Sequence, residues 1–132
     1  MRALDTNVLV RFLIDDDAAQ HAAAVEAVRE ACEVRREPLW IADVVLAEVG
    51  WVLLKRYKVG RTEFASVMRR IASSRDLAFE SRERVAAAVD RFEKGHADFA
   101  DYLIAEGARE SGCDAVLTFD RELQREPGFQ AP

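Results

Sequence analysis

Four acidic residues in separate segments, Asp5, Glu48, Asp101 and Asp120, are the strongest candidates for chemistry in this chain. Acidity alone singles out nothing, because 24 of the 132 residues are Asp or Glu. Glu48, however, is the only charged residue between positions 44 and 54, and a carboxylate in apolar surroundings is costly unless it is paired or binds a metal. Carboxylates are hard oxygen ligands, so the chemistry they indicate is binding of Mg²⁺, for which Mn²⁺ can substitute.

Asp101 has a similar setting, since Phe99, Tyr102 and Leu103 lie close to it in sequence. Asp98 precedes it by one helical turn and would face the same way. Two carboxylates this close repel each other, and a divalent cation would relieve the repulsion. Asp98 is explained equally well as the N-cap of its helix. Isolated helix caps and salt bridges to arginines are the alternative explanation for the whole set.

The elements that must position these acids are short apolar strands separated by helices. We expect strands near residues 3–4, 38–41, 76–80 and 115–119, and helices near 8–13, 18–33, 44–57, 63–73, 82–94 and 98–111. Asp43, Thr62 and Ser81 are the expected N-caps, and Gly112 is expected just past the end of the last of these helices. This alternation predicts an α/β fold with a parallel sheet and helices on both faces. Ligands bind at the carboxyl ends of such strands, where we expect the four acids to converge in one crevice.

Length and composition predict one globular domain spanning residues 1–132, with half the residues hydrophobic and a third charged. No segment approaches the roughly 18 apolar residues of a membrane span, and the early Asp5 does not fit a secretion signal, so we expect a cytoplasmic protein. Cys32, Cys113 and the two histidines lack the spacing of a zinc site.

The formal net charge of −5 does not favour nucleic acid, but the charge is unevenly distributed. Between residues 48 and 70 there are six basic residues against two acidic ones. Lys55, Arg56 and Lys58 are therefore candidates for binding a phosphate backbone. Solvated helix ends explain the same residues equally well.

Four segments resemble, in the right order, the motifs of PIN-domain nucleases: residues 4–9, 45–53, 98–105 and 117–121. Their order and spacing over almost the whole chain resemble the VapC toxins of type II toxin–antitoxin systems. The resemblance implies a PIN-like α/β fold whose central parallel sheet has four or five short strands flanked by helices. It also implies an endoribonuclease that hydrolyses RNA phosphodiester bonds through a metal-activated water.

Carried over by position, the resemblance gives each candidate residue a role. Asp5, Glu48, Asp101 and Asp120 match the catalytic, metal-binding acids, and Asp98 matches an extra acid found in part of the family. The polar residues Thr6, Asn7 and Thr118 match positions that support the carboxylates or the attacking water. Lys55, Arg56 and Lys58 remain the candidate RNA-binding residues.

The resemblance further implies an RNA substrate, a VapB-like antitoxin as partner and a homodimer, with no membrane association. Trp51 is a candidate for the antitoxin or dimer surface, although a core position is the commoner outcome for a tryptophan. Two alternatives remain open: a non-catalytic metal- or partner-binding α/β module, and a PIN-like nuclease acting on DNA.

Overall fold

The computed structural model describes all 132 residues and has strands alternating with helices. The strands are β1 (Arg2–Ala3), β2 (Leu39–Ile41), β3 (Leu77–Phe79), β4 (Val116–Leu117) and β5 (Phe129–Gln130). The helices are α1 (Thr6–Leu13), α2 (Ala18–Arg29), α3 (Asp43–Trp51), α4 (Arg61–Ser73), α5 (Arg82–Lys94) and α6 (Phe99–Glu110). Helices α2 and α3 continue into π-helical turns at Glu30–Arg35 and Val52–Arg56. The predicted α/β class is confirmed.

The strands form two parallel sheets, in the orders β1–β2–β3 and β4–β5. Ala3 pairs with Trp40 between β1 and β2, whereas Val116 pairs with Phe129 between β4 and β5. The central sheet is thus smaller than the predicted four or five strands, because β4 does not pair with β1. Residues 115–119 are also not a buried strand, since Leu117 is 60% and Phe119 88% exposed. Because these side chains bury little apolar surface, β4 gains little stabilisation from packing against the larger sheet.

Local capping chemistry sets some helix boundaries as predicted and others differently. Ser81 Oγ accepts a hydrogen bond from the N–H of Arg84 and caps α5, and Gly112 follows α6 with a φ of +82°. Asp43 and Thr62 are not N-caps, because Ala42 and Gly60 occupy those positions. The Asp43 carboxylate instead forms an ion pair with Arg84, so it is neutralised across α3 and α5.

A core of 22 buried residues packs the helices against the larger sheet. Phe64, Phe92 and Phe99 join α4, α5 and α6 through edge-to-face contacts, with ring centroids 5.2 to 6.0 Å apart. Gly50 of α3 packs against this cluster, and a Cβ there would be in ordinary van der Waals contact, 3.5 Å from both Phe64 and Phe99. The start of α6 is therefore fixed against α3. None of the helices combines the length and the apolar character that crossing a bilayer requires.

Candidate active site

An acidic cleft of about 370 Å³ lies between the start of α6 and the turn that follows β4. Its polar lining, which defines the term acidic cleft below, comprises His96, Asp98, Asp101, Asp120, Glu122, Arg125 and Glu126. The cleft thus unites three of the predicted site residues, Asp98, Asp101 and Asp120. Glu122 and Glu126 were not predicted, because nothing in their local sequence distinguishes them from surface acids.

Asp98 and Asp101 are tied together at the N-terminus of α6. Asp98 occupies the N-cap position, and its backbone N–H donates to Oδ2 of Asp101 at 3.2 Å. Burial raises the pKa of Asp101, and the negative charges of Asp98, Asp120 and Glu126 raise it further, whereas the hydrogen bond from Asp98 opposes this shift. The ionised form of Asp101 is therefore destabilised in the absence of a cation.

Asp120 is held by a local turn beyond β4. Its Oδ1 accepts hydrogen bonds from the N–H groups of Glu122 at 3.0 Å and Leu123 at 3.2 Å. The hydroxyl of Thr118 accepts from the N–H of Asp120 at 3.1 Å, and the Thr118 carbonyl accepts from the side chain of Gln124. Thr118 therefore organises the turn that carries Asp120.

Asp5 and Glu48 are brought together at the carboxyl end of β1, with Thr6 between them. Asp5 caps α1, because its Oδ1 accepts a hydrogen bond from the N–H of Thr6 at 2.9 Å. The hydroxyl of Thr6 donates to Oε2 of Glu48 at 2.6 Å, which fixes the orientation of that carboxylate. Asn7 does not join them, since it lines a separate cavity with Arg11 and Gln20.

The exposure of Glu48 differs from the sequence prediction. Glu48 lies on an exposed face of α3 together with Val44, which is 64% exposed, and Trp51, which is 51% exposed. The opposite face of the helix buries Val45 and Val49 in the core. Because α3 is apolar on both faces, hydrophobicity alone could not identify the buried one. The predicted burial of Glu48 among apolar side chains and the core position of Trp51 are both wrong.

The predicted acids form two groups. Asp5 and Glu48 do not line the acidic cleft, and no group of three or more His, Cys, Asp or Glu side chains is arranged to hold a metal ion. Asp5 follows β1 and Asp120 follows β4, and these two strands belong to different sheets. The oxygen donors nevertheless suit a hard divalent cation in their chemistry.

Of the candidate basic residues, Lys55 lies next to the acidic cleft. Lys55 Nζ is 3.8 Å from Oδ1 of Asp98, and Arg56 and Lys58 are exposed. By contrast, Arg69 of the same basic segment is paired with Asp90 and Glu93. Lys55 therefore brings a positive charge to the edge of the cleft, and Arg125 is among its lining residues.

Residues 2–128 match the model of the PIN domain family. The match covers nearly the whole chain, and the protein belongs to this family. PIN domains are generally metal-dependent nucleases, so the family supports a nuclease and a nucleic acid substrate. The resemblance to PIN-domain nucleases that the sequence motifs predicted is thereby confirmed. No curated protein matches the sequence.

Proposed function

We propose that this PIN-domain protein is a Mg²⁺-dependent endoribonuclease and the toxin of a VapBC-type toxin–antitoxin system. The observation that carries the proposal is the acidic cleft, in which Asp98, Asp101 and Asp120 meet. The raised pKa of Asp101 supports a cation there, because a bound cation would offset both the burial and the like charges that destabilise its ionised form.

In this proposal Asp5, Glu48, Asp101 and Asp120 hold the metal, with Asp98 as an additional acid beside them. Bound Mg²⁺ would supply positive charge that activates water and stabilises the charge developing on a scissile phosphate. Thr6 orients Glu48 through its hydroxyl, and Thr118 holds the turn that carries Asp120. Cleavage by water would leave a 5′ phosphate and a 3′ hydroxyl.

RNA binding is assigned to Lys55, which lies beside the acidic cleft, and to Arg56 and Lys58, which follow it in the sequence. Lys55, Arg56 and Lys58 would hold phosphates of the substrate, since the nearby carboxylates repel an unshielded backbone. The choice of RNA over DNA rests on the resemblance to VapC toxins. A protein distinguishes the two through the 2′-hydroxyl.

The exposed face of α3 is assigned to protein partners. Val44 and Trp51 flank Glu48 on this face, so a segment bound there would also cover an active-site acid. A toxin acting in the cytoplasm needs such silencing, and we assign the face to a VapB-like antitoxin. A homodimer is the second assembly that the resemblance implies.

The test is cleavage of a mixed RNA pool, and of DNA of matched sequence, by purified protein with Mg²⁺ or EDTA. We expect RNA to be cut only with Mg²⁺, not at all by an Asp5→Asn variant, and with 5′ phosphates on the products. Preferential cutting of DNA would assign a DNA nuclease instead. A folded protein that binds Mn²⁺ and cuts neither would be a binding module.

A further inference from the structure

The loop between α5 and α6, residues 95–98, leads directly into Asp98 and Asp101 and has an unusually complete set of hydrogen bonds. Each backbone N–H of the loop has a partner. Gly95 donates to the carbonyl of Arg91 at 2.8 Å, His96 to Oε1 of Glu126 at 3.2 Å, Ala97 to Oη of Tyr102 at 3.2 Å and Asp98 to Oδ2 of Asp101 at 3.2 Å. The geometry of this loop therefore sets where the two aspartates lie.

Two carbonyl groups of this loop and one near the end of α5 converge on one side chain, Arg61 at the start of α4. Its guanidinium donates to the carbonyls of Phe92 at 2.7 Å, Gly95 at 3.0 Å and Ala97 at 3.0 Å. It also lies 3.8 Å from the centroid of the Phe92 ring. The planar fork of an arginine can serve three separate acceptors at fixed angles, which a lysine cannot do.

Gly95 shows how closely this loop is packed. A Cβ at this position would overlap Oη of Tyr102, the atom that accepts the hydrogen bond from Ala97. The loop therefore has little freedom to adjust if its carbonyls lose their donor, and the backbone before Asp98 would have to find water instead.

We propose that Arg61 is the positioning residue of the acidic cleft: its guanidinium fixes the loop from Gly95 to Asp98 and thereby places the carboxylates of Asp98 and Asp101. This assignment rests on the proposed function, because it concerns the same cation site. Arg61 contacts the loop backbone and acts through it, so it is not a catalytic residue.

The chain supplies a matched control in Arg82. Its guanidinium also donates to three backbone carbonyls, those of Ala72, Ser74 and Leu77, and lies against an aromatic ring, that of Phe79. Arg82 does not line the acidic cleft, and its acceptors lie at the end of α4, just after it and at the start of β3, rather than before α6. Loss of either arginine therefore removes similar hydrogen bonds, but only Arg61 donates to the loop that leads to Asp98 and Asp101.

The experiment compares wild type with Arg61→Gln, Arg61→Lys and Arg82→Gln by amide hydrogen exchange and by calorimetric titration with Mn²⁺. We expect the Ala97 and Asp98 amides to exchange about tenfold to a hundredfold faster in Arg61→Gln, beyond any change at the core amide of Ile41. We expect its Mn²⁺ affinity to fall about tenfold. Arg61→Lys should show smaller changes in the same directions, and Arg82→Gln neither change.

An effect of charge alone would change the Mn²⁺ affinity of Arg61→Gln in the opposite direction, because removing a positive charge near carboxylates strengthens cation binding. Tighter Mn²⁺ binding by Arg61→Gln, or equal effects of Arg61→Gln and Arg82→Gln on the loop amides, would overturn the proposal. If wild type binds Mn²⁺ but cuts no nucleic acid, the nuclease function fails while these comparisons still decide the role of Arg61. If the loop amides exchange at an unchanged rate in an Arg61→Gln variant that cuts RNA normally, Arg61 has no positioning role. The proposed nuclease function would then stand without it.

Discussion

The β1–β2–β3 sheet and the β4–β5 sheet both carry acids of the proposed site, but they rest on different amounts of buried surface. In the larger sheet, Leu39 and Ile41 of β2 are buried beneath the helices. In the smaller one, Phe129 is buried, whereas Leu117 and Phe119 on and after β4 are largely exposed. One sheet is thus anchored by the core, and the other depends more on local contacts.

Asp101 and Asp120 accordingly differ in the contacts that fix their positions. Asp101 begins a helix that the cluster of Phe64, Phe92 and Phe99 fixes in the core. Asp120 is held instead by hydrogen bonds within its own turn. Core packing therefore fixes the helix that carries Asp101, whereas the position of Asp120 depends on the turn after β4.

The largest expected effect is a difference in the free energy of unfolding between substitutions in the two regions. Phe64→Ala should lower the free energy of unfolding by about 3–5 kcal/mol, because it leaves a cavity in the core. Phe119→Ala should change it by less than about 0.5 kcal/mol, because that ring is exposed. Urea unfolding measures both, and similar losses would remove the distinction between the two regions.

Asp101→Asn should change activity and stability in opposite directions. Cleavage should fall on the order of a hundredfold or more. Without metal at neutral pH, Tm should rise, because the variant lacks a destabilised carboxylate.

The pH dependence of Asp101 follows from its raised pKa. Its contribution to folding is fully present below the unfolded value of about 4 and is lost as pH rises through the folded pKa. Wild type in EDTA should therefore approach the Tm of Asp101→Asn as pH falls through that window. Thermal unfolding between pH 4 and 7 measures this, and a constant difference in Tm across the range would contradict it.

Replacing Lys55, Arg56 and Lys58 together with alanine should weaken RNA binding and leave folding intact. The slope of log affinity against log salt should become shallower by about 2, as expected for three fewer phosphate contacts on a single strand. Binding to a labelled, uncleavable RNA at several salt concentrations tests this. An unchanged slope would exclude the patch from the binding surface.

The smallest expected effects come from two threonines, one beside each group of acids. Thr6→Val removes the hydrogen bond to the Glu48 carboxylate and should lower the cleavage rate about tenfold. Thr118→Val removes an acceptor for a backbone N–H and should cost about 1 kcal/mol of stability in its turn. Equal loss of cleavage in both variants would show that the two groups of acids are equally preorganised.

The sequence predicted features that depend on local chemistry. Ser81 and Gly112 mark helix ends through capping and a positive φ, and the order of the motifs identified the family. The exposed face of α3 and the separation of β4 from β1 depend on packing between distant segments, so periodicity could not reveal them. Arg61 also escaped prediction, because its acceptors lie more than thirty residues away.

The central claim is that the two groups of acids, Asp5 with Glu48 and those of the acidic cleft, bind one metal centre, and a double-mutant cycle of Mn²⁺ affinity tests it most directly. Calorimetric titrations would compare wild type, Asp5→Asn, Asp101→Asn and the double variant. We predict that each single substitution weakens binding at least tenfold and that the effects are not additive, as for residues sharing one ion. Mn²⁺ affinity that is insensitive to either substitution, or strictly additive effects, would contradict a shared centre.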